Sequence, residues 1–364
     1  MKRTSLVLQM LAGVTAAGAA YLIDAQRRKS ESAQSVPFKR SSSAFSSFRS
    51  LFGTHDSSGS SPKPENRVVL ITGGSRGLGF AIAERFGRAG NRLILAARNF
   101  EELVEARNSL VKHRAVTSPD DVLLIPTDLT DAAQASSLIE HAIQHFGRID
   151  VLVNNAGIME VGPVEDQPIE AYRRAMATNF FSALHTIHAA LPHLLQRDRR
   201  NPAVIVNICS IGGKIAVPHM LPYTASKFAL VGFSQGLHAE LRHKGVRVTT
   251  VCPGLMRTGG HHHATFRGDQ KREARWFNLA ATTPIVATSV KNAANQIYDA
   301  VAQGRAEITI TPQAYLAARF AGIAPEATQR LASLANEFIL PAPLSSSTQT
   351  SETKAPWAVE QPAV

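Results

Sequence analysis

Seven short runs of apolar, largely β-branched residues punctuate the chain: RVVLIT (67–72), RLILAA (92–97), VLLIPT (122–127), DVLVNN (150–155), AVIVNI (203–208), VRVTTV (246–251) and AEITIT (306–311). Both faces of each run are apolar, the pattern of parallel strands covered by helices on either side. Between them the polar and apolar positions follow helical spacing, which predicts helices over 77–89, 99–113, 131–146, 182–197, 223–244 and 289–303. Strand–helix alternation of this kind defines an α/β chain built on a doubly wound parallel sheet of about seven strands, with helices on both faces.

The flanks break this rhythm. Residues 5–23 form a 19-residue apolar stretch between Lys2/Arg3 and Arg27/Arg28/Lys29, close to the ~20 residues that span a bilayer. Gln9, Thr15 and several Gly and Ala dilute it. Residues 1–29 therefore read first as a membrane anchor, with the α/β domain in the cytoplasm. A cleaved signal segment and an organelle-targeting peptide stay open beside it, since Ala17-Gly18-Ala19 resembles a cleavage site and the Arg/Ser-rich sequence that follows is poor in acids. Residues 30–66 read as a flexible Ser-rich linker, 67–312 as the α/β domain, 313–340 as a helical extension and 341–364 as a disordered tail.

Composition narrows the function classes. The net charge of +11 is mild for 364 residues, and no basic stripe carries interleaved aromatics, so nucleic-acid binding is a poor reading. The charge suits an anionic cofactor or membrane surface. Two cysteines, Cys209 and Cys252, sit in apolar runs and read as small buried hydrophobes. Three adjacent histidines, His261, His262 and His263, cannot readily converge on one ion, and no metal site is assigned.

The candidate chemistry starts at TGGSRGLG (72–79), where the first strand passes into the first helix. Gly73, Gly77 and Gly79 there allow backbone N–H groups and a helix N-terminus to face a diphosphate. NNAG (154–157) follows the fourth strand, at the sheet edge where ligands bind in such folds. YTASK (223–227) places Tyr223 and Lys227 at i and i+4, on one helix face. A phenol with an ordinary pKa near ~10 is a poor acid–base group at neutral pH, and a neighbouring ammonium is expected to lower it.

With its G-x-x-x-G-x-G spacing, NNAG and S-Y-x-x-x-K, the chain resembles the short-chain dehydrogenase/reductase family, strongly over about residues 67–260. The resemblance implies a Rossmann-type fold and a catalytic group of Asn179 (in MATNFFS), Ser210 (in NICSIGG), Tyr223 and Lys227. Ser210 would polarise the substrate oxygen, Tyr223 exchange its proton, Lys227 tune the tyrosine and bond the nicotinamide ribose, and Asn179 hold a relay water. The implied cofactor set is Gly73, Ser75, Arg76, Gly77, Leu78, Gly79, Arg98, Asp128, Leu129, Asn155, Ala156, Gly157, Tyr223, Lys227, Pro253, Gly254 and Thr258.

At the end of the second strand Ala97 stands where an NAD-using member carries an acid, Arg98 follows, and Arg76 comes from the glycine loop. Two guanidiniums grip a 2′-phosphate well, so NADP(H) is favoured over NAD(H). Glu101 and Glu102 read as first-turn residues of the next helix. The implied activity is carbonyl–alcohol interconversion. Met159, Met220, Leu221, Met256, Phe266, Trp276 and Phe277 point to a lipophilic substrate. The expected partners are that small molecule, a membrane through the N-terminus, and further copies of the chain. An acyl-carrier-protein-type 3-oxoacyl reductase and a catalytically silent nucleotide-binding protein are the alternatives.

Overall fold

The structure is a computed structural model and describes residues 66–197, 200–257, 264–282 and 287–344. All seven predicted strands form and pair in parallel: β1 (Val68–Thr72), β2 (Arg92–Ala97), β3 (Val122–Pro126), β4 (Val151–Asn154), β5 (Ala203–Ile208), β6 (Val246–Pro253) and β7 (Glu307–Ile310). Their order across the sheet is β7-β6-β5-β4-β1-β2-β3. The order reverses beside β1, so β1 and β4 flank the switch point where this architecture opens a crevice.

Why every central strand is apolar on both faces is now visible. In β1, Val69 and Ile71 join one core, with Phe86, Leu103 and Ile297. Val68 and Leu70 join the other, with Leu138, Ile187 and Leu194. The first is covered by α1 (Gly77–Gly87), α2 (Phe100–Lys112) and α8 (Val290–Gln303), numbering helices along the chain. The second is covered by α3 (Ala132–Phe146), α5 (Ser182–Leu194) and α6 (Leu221–Leu241).

The turns between sheet and helix are chemically marked. Asn99, Asp131 and Ser289 cap α2, α3 and α8 with side-chain acceptors. The N-cap of α1, Arg76, is extended and supplies no side-chain acceptor. The first helix is therefore left with uncapped N–H groups facing the crevice.

Two helices were not foreseen. Helix α4 (Ile169–Met176) runs into a five-residue π-turn, Ala177–Phe181, and on into α5. Helix α7 (Gln270–Thr282) crosses a segment read from sequence only as pocket lining. After β7, α9 (Pro312–Ile323) and α10 (Pro325–Phe338) follow, broken at Ala324–Pro325. Among the described residues no helix is long and apolar enough to cross a membrane, and the apolar stretch 5–23 lies outside them.

Candidate active site

The glycine loop is held by β4. Asn155 donates through Nδ2 to the carbonyls of Thr72 (3.0 Å) and Gly73 (3.1 Å), and its own N–H bonds Thr72 Oγ1 at 2.9 Å. Gly73 has φ +61, and a Cβ on it would lie 3.1 Å from Ala156 Cα. A Cβ on Gly79 would overlap the Gly73 carbonyl and reach 2.6 Å from Asn155 Nδ2. The loop thus folds flat against β4 because neither glycine carries a side chain. Leu78, at the start of α1, is buried in the core beneath it.

Beside the loop lies a cavity of about 260 Å³, lined by Gly73, Ser75, Arg76, Ala97, Arg98, Asp128, Leu129, Asn155, Ala156 and Gly157 among others. Most of the cofactor set singled out by resemblance therefore faces one space. Asp128 Oδ1 accepts from the N–H (3.0 Å) and hydroxyl (2.8 Å) of Thr130, so it also shapes its own turn. Pro253 and Gly254 end β6, with the Gly254 N–H bonded to the Ile310 carbonyl at 2.9 Å. They do not line this cavity. Thr258 and the histidines 261–263 lie outside the described residues.

The four residues of the catalytic group converge from three elements. The π-turn swings Asn179 inward until it is 1% exposed. Its Oδ1 accepts from the Ile158 N–H (2.7 Å), and its Nδ2 donates to the Ile158 carbonyl (3.1 Å) and to Ser226 Oγ (2.8 Å). The side-chain amide is thus committed to protein partners. A Cβ on Gly157 would sit 3.0 Å from Asn179 Oδ1 and 3.6 Å from Lys227 Nζ, so cavity wall and lysine are neighbours. Lys227 is buried and donates to the Ile208 carbonyl at 2.9 Å. At the other end, a Cβ on Gly212 would touch both Tyr223 Cε1 (3.2 Å) and Ser210 Oγ (3.5 Å). Ser210 Oγ accepts from the Gly212 N–H at 3.0 Å.

One electrostatic expectation fails. Burial pushes the Tyr223 phenol up to about 12, and its hydrogen bond with Ser210 only partly opposes this. Lys227 is itself pushed down by burial. Desolvation is the largest influence on each group, and the serine rather than the lysine is what opposes it at the phenol. Burial likewise raises the Cys209 thiol well above its ordinary value. Cys209 and Cys252 are free and buried together, behaving as core residues.

Around Tyr223 a satellite cluster gathers Met159, Val161, Met220, Phe266, Trp276 and Phe277. Met256 is elsewhere: it pairs in a two-residue strand with Thr288 and packs on the main core. Sequence reasoning missed the fastening beneath this cluster. Glu273 of α7, wholly buried, accepts from His219 Nδ1 (2.8 Å) and Trp276 Nε1 (2.6 Å). A carboxylate only accepts, so His219 carries its proton on Nδ1. Also missed was a buried polar chain under the sheet edge. Thr186 donates to Asn154 (2.7 Å), Asn154 to Asn207 (3.0 Å) and Asn207 to Ser234 (3.0 Å).

A flat glycine loop at the switch point, with a buried lysine, a tyrosine and a serine behind it, defines a class. The chain belongs to the short chain dehydrogenase family, whose profile matches residues 67–266, and is thus a dehydrogenase/reductase-type oxidoreductase. It is 34% identical over 253 residues to the Dehydrogenase/reductase SDR family protein 7-like of Anopheles gambiae, spanning 69% of this chain and 77% of that one. It is 35% identical over 192 residues to Dehydrogenase/reductase SDR family member 7 of Homo sapiens, spanning 52% of this chain and 56% of that one. A solved family member from Burkholderia phymatum, in complex with NAD, superposes with a TM-score of 0.66. That match covers 78% of this chain and 99% of the other at 24% identity, a likeness of fold.

Proposed function

We propose that the chain is an NADP(H)-dependent oxidoreductase that interconverts a carbonyl and an alcohol on a lipophilic small molecule. The observation that carries this reading is that Ser210 and Tyr223 meet beside Gly212 while Lys227 Nζ stands just behind Gly157, a wall residue of the cavity that the glycine loop opens.

The cavity fits a nicotinamide dinucleotide. Gly73 and Gly79 let the loop lie flat on β4 beside the cavity, and the adjoining α1 has no side-chain cap of its own. The Burkholderia phymatum relative is a complex with NAD, which supports the cofactor class. Ala97, Arg98 and Arg76 at the cavity rim favour the 2′-phosphorylated form. When bound, the cofactor supplies the hydride chemistry.

The protein supplies position and a proton. Ser210, fixed by the Gly212 N–H and hydrogen-bonded to Tyr223, orients the substrate oxygen by turning its one hydroxyl hydrogen to it when substrate binds. Tyr223, neutral with a phenol near 12, is poised as a proton donor to that oxygen in reduction. Lys227, held by Ile208, offers its other donors toward the cavity beside Gly157. The apolar cluster of Met159, Met220, Phe266, Trp276 and Phe277 around the phenol supports a lipophilic substrate. We also propose that residues 5–23 anchor the catalytic domain to a membrane and that the chain self-associates. Removing the first 66 residues should release it from membranes and keep its activity.

Replacing Tyr223 by Phe tests the reading. Turnover of a panel of lipophilic ketones with NADPH should vanish, while NADPH binding by calorimetry stays within about twofold. Full turnover in that variant would refute the assignment.

A further inference from the structure

Glu102 does more than start a helix. It occupies the third position of α2, where a glutamate commonly folds back on the N-cap N–H. Here it turns the other way, into the glycine loop. One carboxylate oxygen, Oε2, accepts from Ser75 Oγ at 3.0 Å, and the other, Oε1, from Arg76 Nη1 at 3.1 Å. Its backbone N–H is held by Asn99 Oδ1 at 3.0 Å, so the base of the side chain is fixed. Ser75, Arg76, Arg98 and Glu102 all line the same cavity beside Ala97.

We propose that Glu102 is a specificity-determining residue that occupies the seat of a ribose 2′-phosphate. Two oxygens on one planar group, shared between a hydroxyl and a guanidinium, reproduce what two oxygens of a phosphate monoester would receive there. A carboxylate and a phosphate dianion cannot share Arg76 and Ser75: like charges at this distance repel, and the donors are too few. A phosphorylated dinucleotide must therefore displace Glu102 toward solvent, which its partial exposure allows. A dinucleotide with a bare 2′-hydroxyl leaves the carboxylate where it is. Glu102 thus holds down the discrimination that Arg76 and Arg98 provide. The inference rests on the NADP(H) reading of the cavity, but its test does not depend on which cofactor the wild type prefers.

The experiment is equilibrium binding of NADPH and of NADH to full-length wild type and Glu102→Gln, by calorimetry at low salt. Glutamine keeps the size of the side chain and an acceptor oxygen and removes the charge. NADPH should bind about tenfold more tightly, and NADH should be unchanged within about twofold. Raising the salt should shrink the gain, because the pair is exposed. Adding Arg76→Ala to Glu102→Gln should abolish the gain. An unchanged NADPH/NADH ratio, or weaker NADPH binding, would overturn the inference. The wild-type ratio is a separate readout: a preference for NADH there would count against the cofactor reading, while a ratio that still shifts in Glu102→Gln would uphold the role of Glu102.

Discussion

Lys227 points its ammonium at the Ile208 carbonyl, 2.9 Å away, and stands 5.8 Å from the centre of the Tyr223 ring. The pair shares one face of α6, yet the lysine spends its nearest hydrogen bond on the backbone of β5. That geometry, with Lys227 buried and Tyr223 half-buried in its apolar cluster, leaves the phenol protonated throughout the neutral range.

A pH asymmetry follows. Carbonyl reduction needs the phenol, which stays intact until the pH nears its value of about 12. Alcohol oxidation needs the phenolate, which forms only as the pH climbs toward that value. Single-turnover oxidation should therefore rise about tenfold per pH unit between pH 7 and 9, while reduction stays flat. An oxidation rate that levels off below pH 8 would mean that the phenol ionises in the neutral range.

The two arginines at the cavity rim make the cofactor reading quantitative. Replacing both Arg76 and Arg98 by Ala removes the charges suited to a 2′-phosphate and keeps all the glycines of the loop. Affinity for NADPH should drop by about 10- to 100-fold, the scale of losing charge-assisted bonds. NADH affinity should change by less than about threefold. Equal losses for the two dinucleotides would sink the proposal.

Most of the frame was legible because its physics is local. Strands buried on both faces must be apolar throughout, as Val68 to Ile71 are, and such runs stand out in any sequence. Motif residues such as Gly79 and Asn155 are legible for a related reason, since their spacing is set by one strand–turn–helix unit. What escaped depends on chain folding back from afar. Helix α4 is only eight residues long, and the π-turn after it, which brings Asn179 inward, is announced by no side chain. Glu102 looks like any first-turn acid until β1 and β2 bring Ser75 and Arg76 to it. His219 and Glu273 are 54 residues apart, and nothing in either neighbourhood marks the pair.

Packing at the glycine loop separates close approach from helix propensity. Gly79→Ala puts a methyl group into the Gly73 carbonyl and onto Asn155. The loop must shift off β4, at a cost of about 1–3 kcal/mol. Gly232→Ala lies in the middle of α6 with nothing within 4 Å of the new methyl. It should stabilise by about 0.5–1 kcal/mol through helix propensity alone. Thermal melts should thus move in opposite directions, and only Gly79→Ala should weaken dinucleotide binding. A neutral Gly79→Ala would mean that the loop does not rest on Asn155 as described.

The last prediction concerns the fastening of α7. Glu273 is the only described acceptor for both His219 Nδ1 and Trp276 Nε1, and it ties α7 to the loop that leads into α6. Glu273→Leu fills a similar volume but strands the buried His219 donor, at a cost of about 1–3 kcal/mol, and leaves the half-buried Trp276 indole without its acceptor. Because α7 carries Trp276 and Phe277 of the cluster around Tyr223, the loss should appear as faster hydrogen exchange over 270–282 and a KM for the lipophilic substrate raised about tenfold. Dinucleotide binding should hold within about twofold, since no α7 residue lines the cofactor cavity. Glu273→Gln keeps an acceptor for the indole and should fall between wild type and the leucine variant. If Glu273→Leu weakened dinucleotide and substrate equally, Glu273 would be supporting the whole domain rather than the wall of the substrate pocket.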